Sequence, residues 1–337
     1  MFLSRAARLF FFAALSGLPW AGLALAGVAM QADLHLDTLT GCYTKGLTLD
    51  AASGLEASLP LLRAGGTNVA VFALWPPRNV NHPARVDALL DLYEREDARL
   101  DGLALAHSAD EARDIVGAGR VAAVISLEGA HGLAEDWRAD LDQLYGRGLR
   151  MLGLTWSFSN RFAGSSSDGG GGLTEEGRAL VTRAQELGVL VDVSHASRRT
   201  TLDVCAVSKA PVVASHSDAH ALAGRERNLS DEEIRCIAAT GGVIGLNLHA
   251  TFLGGTQDLA QAVRQLTYLR DVGGDGVVAL GSDYDGLIHT PTGLPDAGTL
   301  PRLWAALRTQ GWDDAQIAGV RGENFMRAWS AAQKSVP

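Results

Sequence analysis

The chain has 337 residues, of which 47% are hydrophobic and 20% are charged, which suits one large globular domain or two smaller ones with a sizeable core. Its formal net charge is −9 and it contains no run of basic residues, so the composition argues against nucleic acid as a partner. The three cysteines, Cys42, Cys205 and Cys236, show no CxxC spacing. We therefore expect buried small hydrophobic side chains, and neither a disulfide framework nor a zinc-thiolate site.

The first predicted element is a secretory signal peptide. Arg5 and Arg8 precede an apolar run over residues 9–26, which ends in the small-x-small site Ala24-Leu25-Ala26. This order of a basic, an apolar and a small-residue region is typical of exported proteins. We expect cleavage after Ala26, a mature domain over residues 27–337, and a periplasmic or secreted protein without stable membrane association. The alternatives are an uncleaved membrane anchor and a start codon placed too early.

Eight apolar, often β-branched runs follow in the mature chain. They are Val28–His35, Asn68–Trp75, Val121–Leu127, Arg150–Trp156, Val189–Ser194, Val212–Ser215, Val243–Leu248 and Val277–Gly281. Short continuous apolar runs of this kind are typical of strands buried on both faces, as in a parallel sheet. The sequence therefore predicts eight strands.

Helix-length segments lie between most of these strands. They include Pro83–Ala98, Ala109–Ala118, Glu175–Leu187, Arg198–Ala210 and Asp231–Ala239, and two or three more helices are predicted between Pro301 and Ala331. Ser108, Thr174 and Ser230 precede three of them with a side-chain oxygen that can accept a hydrogen bond from the first free N–H groups.

Eight strands that alternate with helices over about 300 residues predict an α/β fold, a (β/α)8 TIM-like barrel in a single domain with additional C-terminal helices. A doubly wound open sheet is the alternative. The first strand is not followed by a glycine-rich nucleotide loop, which weighs against that alternative.

Five of the predicted strands end in residues that can bind a metal ion. They are His35 with Asp37, then Glu128, His195, His216 and Asp283. In a parallel barrel the chemistry lies at the C-terminal strand ends, and residues i and i+2 of an extended segment point the same way. Each residue alone could be a satisfied core side chain, but buried imidazoles and carboxylates need partners. Six such groups favour zinc or a related divalent ion, and a two-metal site bridged by a carboxylate.

In this order the residues resemble the membrane (renal-type) dipeptidase family of zinc peptidases, within the amidohydrolase-like barrels. The matching segments are Asp33-Leu34-His35-Leu36-Asp37, Leu127-Glu128-Gly129-Ala130-His131, Gly148-Leu149-Arg150 through Leu154-Thr155, Gly172-Leu173-Thr174 through Gly177, Leu187-Gly188 through Asp192-Val193-Ser194-His195, Ser215-His216-Ser217, Arg227-Asn228 and the run from Gly281 to Gly286. They span most of the mature chain, so the resemblance is specific.

The resemblance implies two zinc ions, with manganese as a possible substitute. His35 and Asp37 would hold one ion, His195 and His216 the other, and Glu128 would bridge them.

The resemblance also implies roles around the ions. Arg227 would bind the terminal carboxylate of the substrate, for which a planar bidentate donor is suited. Asp283 would transfer the proton during attack, and Asp285 is the weaker candidate for that role. The family usually has histidine after the Leu-Thr pair, near the scissile carbonyl, where this chain has Trp156. Trp156 would then contact the substrate in a different way.

Two other strand-end histidines have no assigned role in the predicted centre. His131 matches a position that the family commonly has. His249 has no ligand pattern around it, and a structural role is as good an explanation as a functional one.

The predicted function is that of a binuclear zinc hydrolase that cleaves the peptide bond of dipeptides with a metal-activated water. One alternative keeps the fold and the metals but acts on another small peptide-derived or amide substrate, because Trp156 departs from the family pattern. Another is a non-catalytic periplasmic protein that binds dipeptides or metal. Asp283 argues against it, since a pure binding site has little use for a proton-transfer group. The sequence is compatible with a homodimer and does not decide which dipeptides, or which chirality, are preferred.

Overall fold

The structure, a computed structural model, describes residues 28–335. The predicted signal peptide and its cleavage site lie outside the described residues. In the described part of the chain, no helix is long and apolar enough to cross a membrane.

Within residues 28–335, nine strands form one sheet in which every pairing is parallel. They are β1 (Ala32–Leu36), β2 (Val69–Leu74), β3 (Leu103–Leu105), β4 (Val121–Leu127), β5 (Leu149–Gly153), β6 (Leu190–Asp192), β7 (Val212–Ala214), β8 (Val243–Leu246) and β9 (Val278–Leu280). The order is β1-β2-β4-β5-β6-β7-β8-β9, and β3 pairs with β4 outside this path.

The sheet closes between β1 and the segment that follows β9. The Asp37 N–H donates to the Tyr284 carbonyl at 2.9 Å, and the Asp283 N–H donates to the His35 carbonyl at 3.1 Å. The eight-stranded barrel is therefore confirmed, and each of its strands lies within or next to a predicted run. The short β3 was not predicted, because three residues are too few to show a period.

Helices surround the barrel. They are α1 (Thr38–Lys45), α2 (Leu59–Gly65), α3 (His82–Arg99), α4 (Ala109–Gly117), α5 (Trp137–Gly146), α6 (Glu175–Glu186), α7 (Arg198–Val207), α8 (His220–Ala223), α9 (Asp231–Ala239), α10 (Ala250–Leu253), α11 (Leu259–Gly273), α12 (Pro301–Thr309), α13 (Asp314–Ala318) and α14 (Asn324–Lys334). One-turn 3-10 helices lie at Ala130–Gly132 and Ala297–Thr299, and an irregular helical turn at Gly319–Glu323 joins α13 to α14.

The predicted helix starts are confirmed by their capping bonds. Ser108 and Thr174 accept hydrogen bonds from backbone N–H groups three residues on, and Ser230 forms a full capping box. The unpredicted helices α5 and α11 begin after Asp136 and Asp258, whose side chains cap them in the same way. The same start signal was therefore present in the sequence at both positions.

The cysteine prediction was wrong for two of the three residues. Cys205 in α7 and Cys236 in α9 form a disulfide, although 31 residues separate them in the sequence. The two helices follow the neighbouring strands β6 and β7 and pack side by side, so the pairing arises from barrel order and not from a sequence motif. Cys42 is free and buried, as expected.

The C-terminal helix α14 packs against one end of the barrel. Alternate strand residues such as Val71, Val124 and Val213 form a buried cluster with Phe325 and Trp329 of α14. These strand residues come from the first half or the middle of their strands. The C-terminal helix therefore packs against the N-terminal half of the barrel, and the polar strand ends lie at the other end.

Candidate metal centre and active site

The predicted ligand residues lie together at the C-terminal end of the barrel. His35 is part of β1 and Asp37 follows it, while the others lie one to three residues beyond β4, β6, β7 and β9. Their donor atoms form three groups, each with all atoms within 4.8 Å of one another. These groups are His35-Asp37-Glu128, Glu128-His195-His216 and His35-His216-Asp283.

Glu128 lies between two pairs of ligand candidates. Its Oε2 is 3.5 Å from His35 Nε2, which is also 3.4 Å from Asp37 Oδ2. Its Oε1 is 3.1 Å from His195 Nε2 and 3.8 Å from His216 Nε2. The two oxygens of one carboxylate thus face two separate pairs, as a carboxylate that bridges two cations would.

Several of these atoms lack the hydrogen bonds that buried polar groups normally make. In residues 28–335, both ring nitrogens of His35 and Oδ1 of Asp37 are buried without such a bond. The Nε2 atoms of His195 and His216 face each other at 2.9 Å, where only one proton fits between them. Unsatisfied buried nitrogen and oxygen atoms are rare in native proteins, and this donor set suits zinc or manganese. The residues therefore fit divalent cations.

Polar residues behind His216 hold its ring in place. The Ser215 hydroxyl donates to Asp192 Oδ2 at 2.5 Å and is 2.8 Å from His216 Nδ1. Asp192 Oδ1 accepts from the N–H groups of Ser194 and Ser215, both at 2.9 Å. Because the hydroxyl gives its proton to Asp192, it accepts one from Nδ1–H. This leaves the lone pair on Nε2, which faces the centre.

The ionisation of His195, His216 and Glu128 suits a metal site. Burial, with the positive charge of Arg227 adding to it, lowers the pKa of His195 to about 4, and burial lowers the pKa of His216 well below its ordinary value. Both imidazoles are therefore neutral near pH 7, the form that binds metal. Burial alone would raise the pKa of Glu128, but the nearby His35 and His195 outweigh burial and lower it.

Asp283 is a carboxyl suited to moving protons. Burial raises the pKa of Asp283 to about 8, and the negative charges of Asp37 and Glu128 contribute. The Asn247 side-chain amide donates to Asp283 Oδ2 at 3.1 Å, and Asn247 Oδ1 accepts from the His249 N–H at 2.5 Å. That second bond fixes which way the amide points. A group that gains and loses a proton near neutral pH is what general acid–base chemistry requires.

Asp285, the weaker candidate, is bound to the backbone elsewhere. Its Oδ1 and Oδ2 accept from the N–H groups of Glu56 and Ala57 at 2.8 and 3.2 Å. Its own N–H donates to Glu56 Oε2 at 2.8 Å. Asp285 therefore ties the loop after β9 to the loop before α2, which leaves Asp283 as the proton-transfer candidate.

Backbone strain is concentrated around the same site. His195, Asp283, Asp285 and Leu287 have φ angles of 65°, 66°, 66° and 59°, a region that non-glycine residues rarely adopt. Each such residue costs on the order of 1–3 kcal/mol, and residues of this kind cluster at functional sites.

The six ligand candidates form what we call the ligand cluster: His35, Asp37, Glu128, His195, His216 and Asp283. A cavity of about 310 Å³ opens onto this cluster. The ligand candidates that line it are Asp37, Glu128, His195 and Asp283, and the apolar lining residues are Trp75, Trp156, Phe252, Leu287 and Ile288. The Trp156 ring centroid is 6.4 Å from that of His195 and 5.0 Å from that of Trp75. A larger groove of about 840 Å³ along α11 and α12 contains none of the predicted site residues.

Arg227 lies beside the centre but does not line the cavity. Its guanidinium donates to Ser217 Oγ and to the His216 carbonyl, both at 2.7 Å, and its Nε is buried without a partner. Burial lowers the pKa of Arg227. The structure thus places the predicted carboxylate-binding residue behind His216, with its Nε atom unpaired.

The two remaining strand-end histidines differ in their surroundings. His131 Nε2 is 2.9 Å from the Pro76 carbonyl, and burial lowers the pKa of His131. His249 lines the cavity, caps α10 through Nδ1 and lies against Phe252 at 4.5 Å between ring centroids. His131 therefore supports a loop, whereas His249 borders the site.

Sequence analysis missed Trp75, Asn247 and Asp192. Trp75 ends the second predicted strand, Asn247 lies near the end of the seventh, and Asp192 lies near the end of the fifth. A polar or aromatic residue at a barrel strand end is a detectable signal, but its partner becomes clear only in three dimensions.

The comparisons with known proteins agree with this geometry. The model of the membrane dipeptidase family, peptidase family M19, matches residues 24–336. An uncharacterized protein in the pqqA 5′ region of Klebsiella pneumoniae is 36% identical over 245 residues, which cover 66% of this chain and 90% of that protein.

Two solved structures are similar throughout. Dipeptidase AC, a metallopeptidase of family M19, superposes with a TM-score of 0.83 at 29% identity, over 91% of this chain and 99% of that one. A metallopeptidase from Rhodobacter sphaeroides, liganded with a phosphinate mimic of the dipeptide L-Ala-D-Ala, gives a TM-score of 0.82 at 28% identity, over 90% and 99%.

Proposed function

The chain belongs to the membrane dipeptidase family, peptidase family M19, and we propose that this metallo-dipeptidase works with two zinc ions held by five residues. His35 and Asp37 would hold one ion, His195 and His216 would hold the other, and Glu128 would bridge them. The observation that carries the proposal is the position of Glu128, whose two oxygens face the two pairs separately.

In the proposed hydrolysis, some residues would bind the metal ions and Asp283 transfers the proton. When bound, the two ions supply a water of lowered pKa and a Lewis acid for the scissile carbonyl. Asp283 accepts the proton of the attacking water and returns it to the leaving amine. Asn247 holds Oδ2 of Asp283 while the other oxygen serves in the transfer. Glu128 and the neutral imidazoles of His195 and His216 would hold the ions that position the nucleophile and the carbonyl.

Two further residues contact the substrate in this proposal. Arg227 attracts the terminal carboxylate through its buried positive charge, from its position behind His216, where its Nε donor has no partner. Trp156 lines the cavity next to His195. From there it either donates its indole N–H to the developing oxyanion or forms part of the pocket wall.

Metal analysis tests the proposal. Protein purified without chelator should contain about two zinc-class ions per chain and should hydrolyse dipeptides. Glu128→Gln should lower metal content and activity more than a substitution of any single histidine, because the bridging carboxylate serves both ions. A metal content near zero that does not rise when zinc or manganese is added would refute the two-ion site. Full metal content without turnover on a dipeptide panel would favour the other substrates or a binding role.

We also propose export to the periplasm or beyond. The basic-apolar-small pattern of residues 5–26 supports it, and so does the Cys205–Cys236 disulfide, because disulfides persist in oxidising compartments. N-terminal sequencing of the periplasmic fraction should give Gly27 as the first residue. Intact Met1 on cytoplasmic protein would contradict the proposal.

A further inference from the structure

The cavity above the ligand cluster has two apolar walls on opposite sides of the barrel. Trp75 follows β2 and Trp156 lies beyond β5, whereas Phe252 belongs to α10 after β8 and Leu287 lies beyond β9. In the strand order, β9 is four positions from β5, which is directly across a circuit of eight. The ligand cluster lies between the two walls.

The first wall is aromatic. The centroids of the Trp75 and Trp156 rings are 5.0 Å apart with the planes inclined by 59°. Trp156 also lies 6.4 Å from His195, a ligand candidate. A dipeptide whose peptide bond lies at the ligand cluster would therefore have a side chain within reach of this aromatic surface.

The second wall ends in a side chain that the fold itself does not bury. Leu287 is 85% exposed, against 58% for Val28 and 44% for Tyr43, the other exposed large hydrophobic residues in the described chain. Its φ of 59° is unusual for a branched residue. A single exposed leucine is ordinary, but one held in a strained conformation at a cavity mouth needs a reason. The hydrogen bonds of Asp285 fix the start of this loop.

The cavity offers no positive charge to a substrate side chain. Among the described residues that line it, none is lysine or arginine. Arg227 lies behind His216, and the carboxylate of Asp285 is bound to the backbone of residues 56–57. The other carboxylates belong to the ligand cluster. Away from that cluster the walls therefore provide chiefly apolar contact.

We propose that these two walls select dipeptides with a large apolar side chain, above all an aromatic one, over dipeptides of small or charged residues. The inference rests on the proposed dipeptidase function and adds its substrate class. Burial of one such side chain would favour the preferred substrate roughly 10- to 100-fold in kcat/KM.

The test compares kcat/KM of the metal-loaded protein on Ala-Ala, Phe-Ala, Ala-Phe and Ala-Glu, each with an L and a D C-terminal residue. At least one phenylalanine peptide should exceed its Ala-Ala counterpart tenfold or more, and Ala-Glu should be the poorest substrate. The ratio of the best phenylalanine peptide to Ala-Ala should fall at least fivefold in Leu287→Ser and in Trp75→Ala. Tyr43→Ala, an exposed aromatic residue that does not line the cavity, should keep the wild-type ratio.

Metal content and the melting temperature are measured for every variant. Leu287 is exposed, so its variant keeps the test valid if Trp75→Ala fails to fold. Equal or faster hydrolysis of Ala-Ala, or an unchanged ratio in Leu287→Ser, would overturn the inference while the dipeptidase function stands. Metal-loaded protein that cleaves none of the peptides would overturn both.

Discussion

Single side chains beside the ligand cluster decide how a substrate would lie on it. Trp156 borders His195 from the cavity side, and Arg227 lies behind His216. The first contributes an indole to the pocket, and the second contributes a buried positive charge. Substitution of either residue, with metal content measured alongside, separates substrate contact from metal binding.

Trp156 is expected to restrict the substrate range without preventing hydrolysis. An imidazole near the carbonyl can donate to the oxyanion, and loss of such a donor costs roughly 2.7–4 kcal/mol, or about 10²–10³ in rate. If the indole N–H takes that role, Trp156→Phe should lower kcat by about that factor, and Trp156→His should keep the rate and widen the range. Steady-state kinetics of wild type and both variants on several dipeptides will measure the change in kcat and in substrate range. If Trp156→Phe has the same kcat as wild type on all of these dipeptides, the indole N–H has no role and Trp156 only forms part of the pocket wall.

Arg227→Ala should raise KM on dipeptides strongly, with a loss of roughly 2–5 kcal/mol for a charged, desolvated partner. Dipeptide amides, which lack the terminal charge, should be poor substrates of the wild-type protein and should respond little to the substitution. Metal content must be measured as well, because Arg227 also binds the His216 carbonyl. Wild-type protein that cleaves amides as readily as acids would show that Arg227 only supports His216.

At the scale of elements, the disulfide joins the two helices that flank the chain segment with His216 and Arg227. It links α7 to α9 and closes a segment with a sequence separation of 31 residues. That segment contains β7, His216 and Arg227. The crosslink therefore restrains the unfolded chain in the region that carries one ligand candidate, His216, and the buried Arg227.

Removal of this disulfide should destabilise the protein. A loop of this length is worth about 3–4 kcal/mol in the chain-entropy model. The double variant Cys205→Ala/Cys236→Ala should therefore lose free energy of unfolding of that order in denaturant titrations. Reductant should have the same effect on wild type and none on the double variant. Equal stability of the two proteins under oxidising conditions would show that the bond does not form.

At the scale of the whole molecule, the half-buried His131 makes stability depend on pH. Burial lowers the pKa of His131 below its ordinary value of 6.5, so the unfolded chain takes up a proton before the folded one does. The free energy of unfolding should fall as pH drops through 6.5 towards the lower folded pKa.

His131→Gln keeps a donor for the Pro76 carbonyl and does not titrate. Its free energy of unfolding should therefore vary less than that of wild type between pH 7.5 and 5.0, measured by denaturant titration at constant salt. Parallel curves for the two proteins would contradict the assignment.

The sequence by itself determined the barrel and which residues are candidate metal ligands. Strand and helix periods are local properties, and burial on both faces leaves a continuous apolar run such as Val121–Leu127. Parallel strands all end on one side, so Glu128, His195 and His216 had to meet once their strands were recognised. These inferences need only short-range patterns and one topological rule.

Only the tertiary structure decided which side chains face each other. The Cys205–Cys236 pair, the bond from Asn247 to Asp283 and the position of Arg227 behind His216 depend on packing between distant segments. The same holds for Trp75, which meets Trp156 because β2 and β5 both flank β4. Contacts of this kind are set by helix order, side-chain rotamers and loop paths, and neighbouring residues in the sequence carry no record of them.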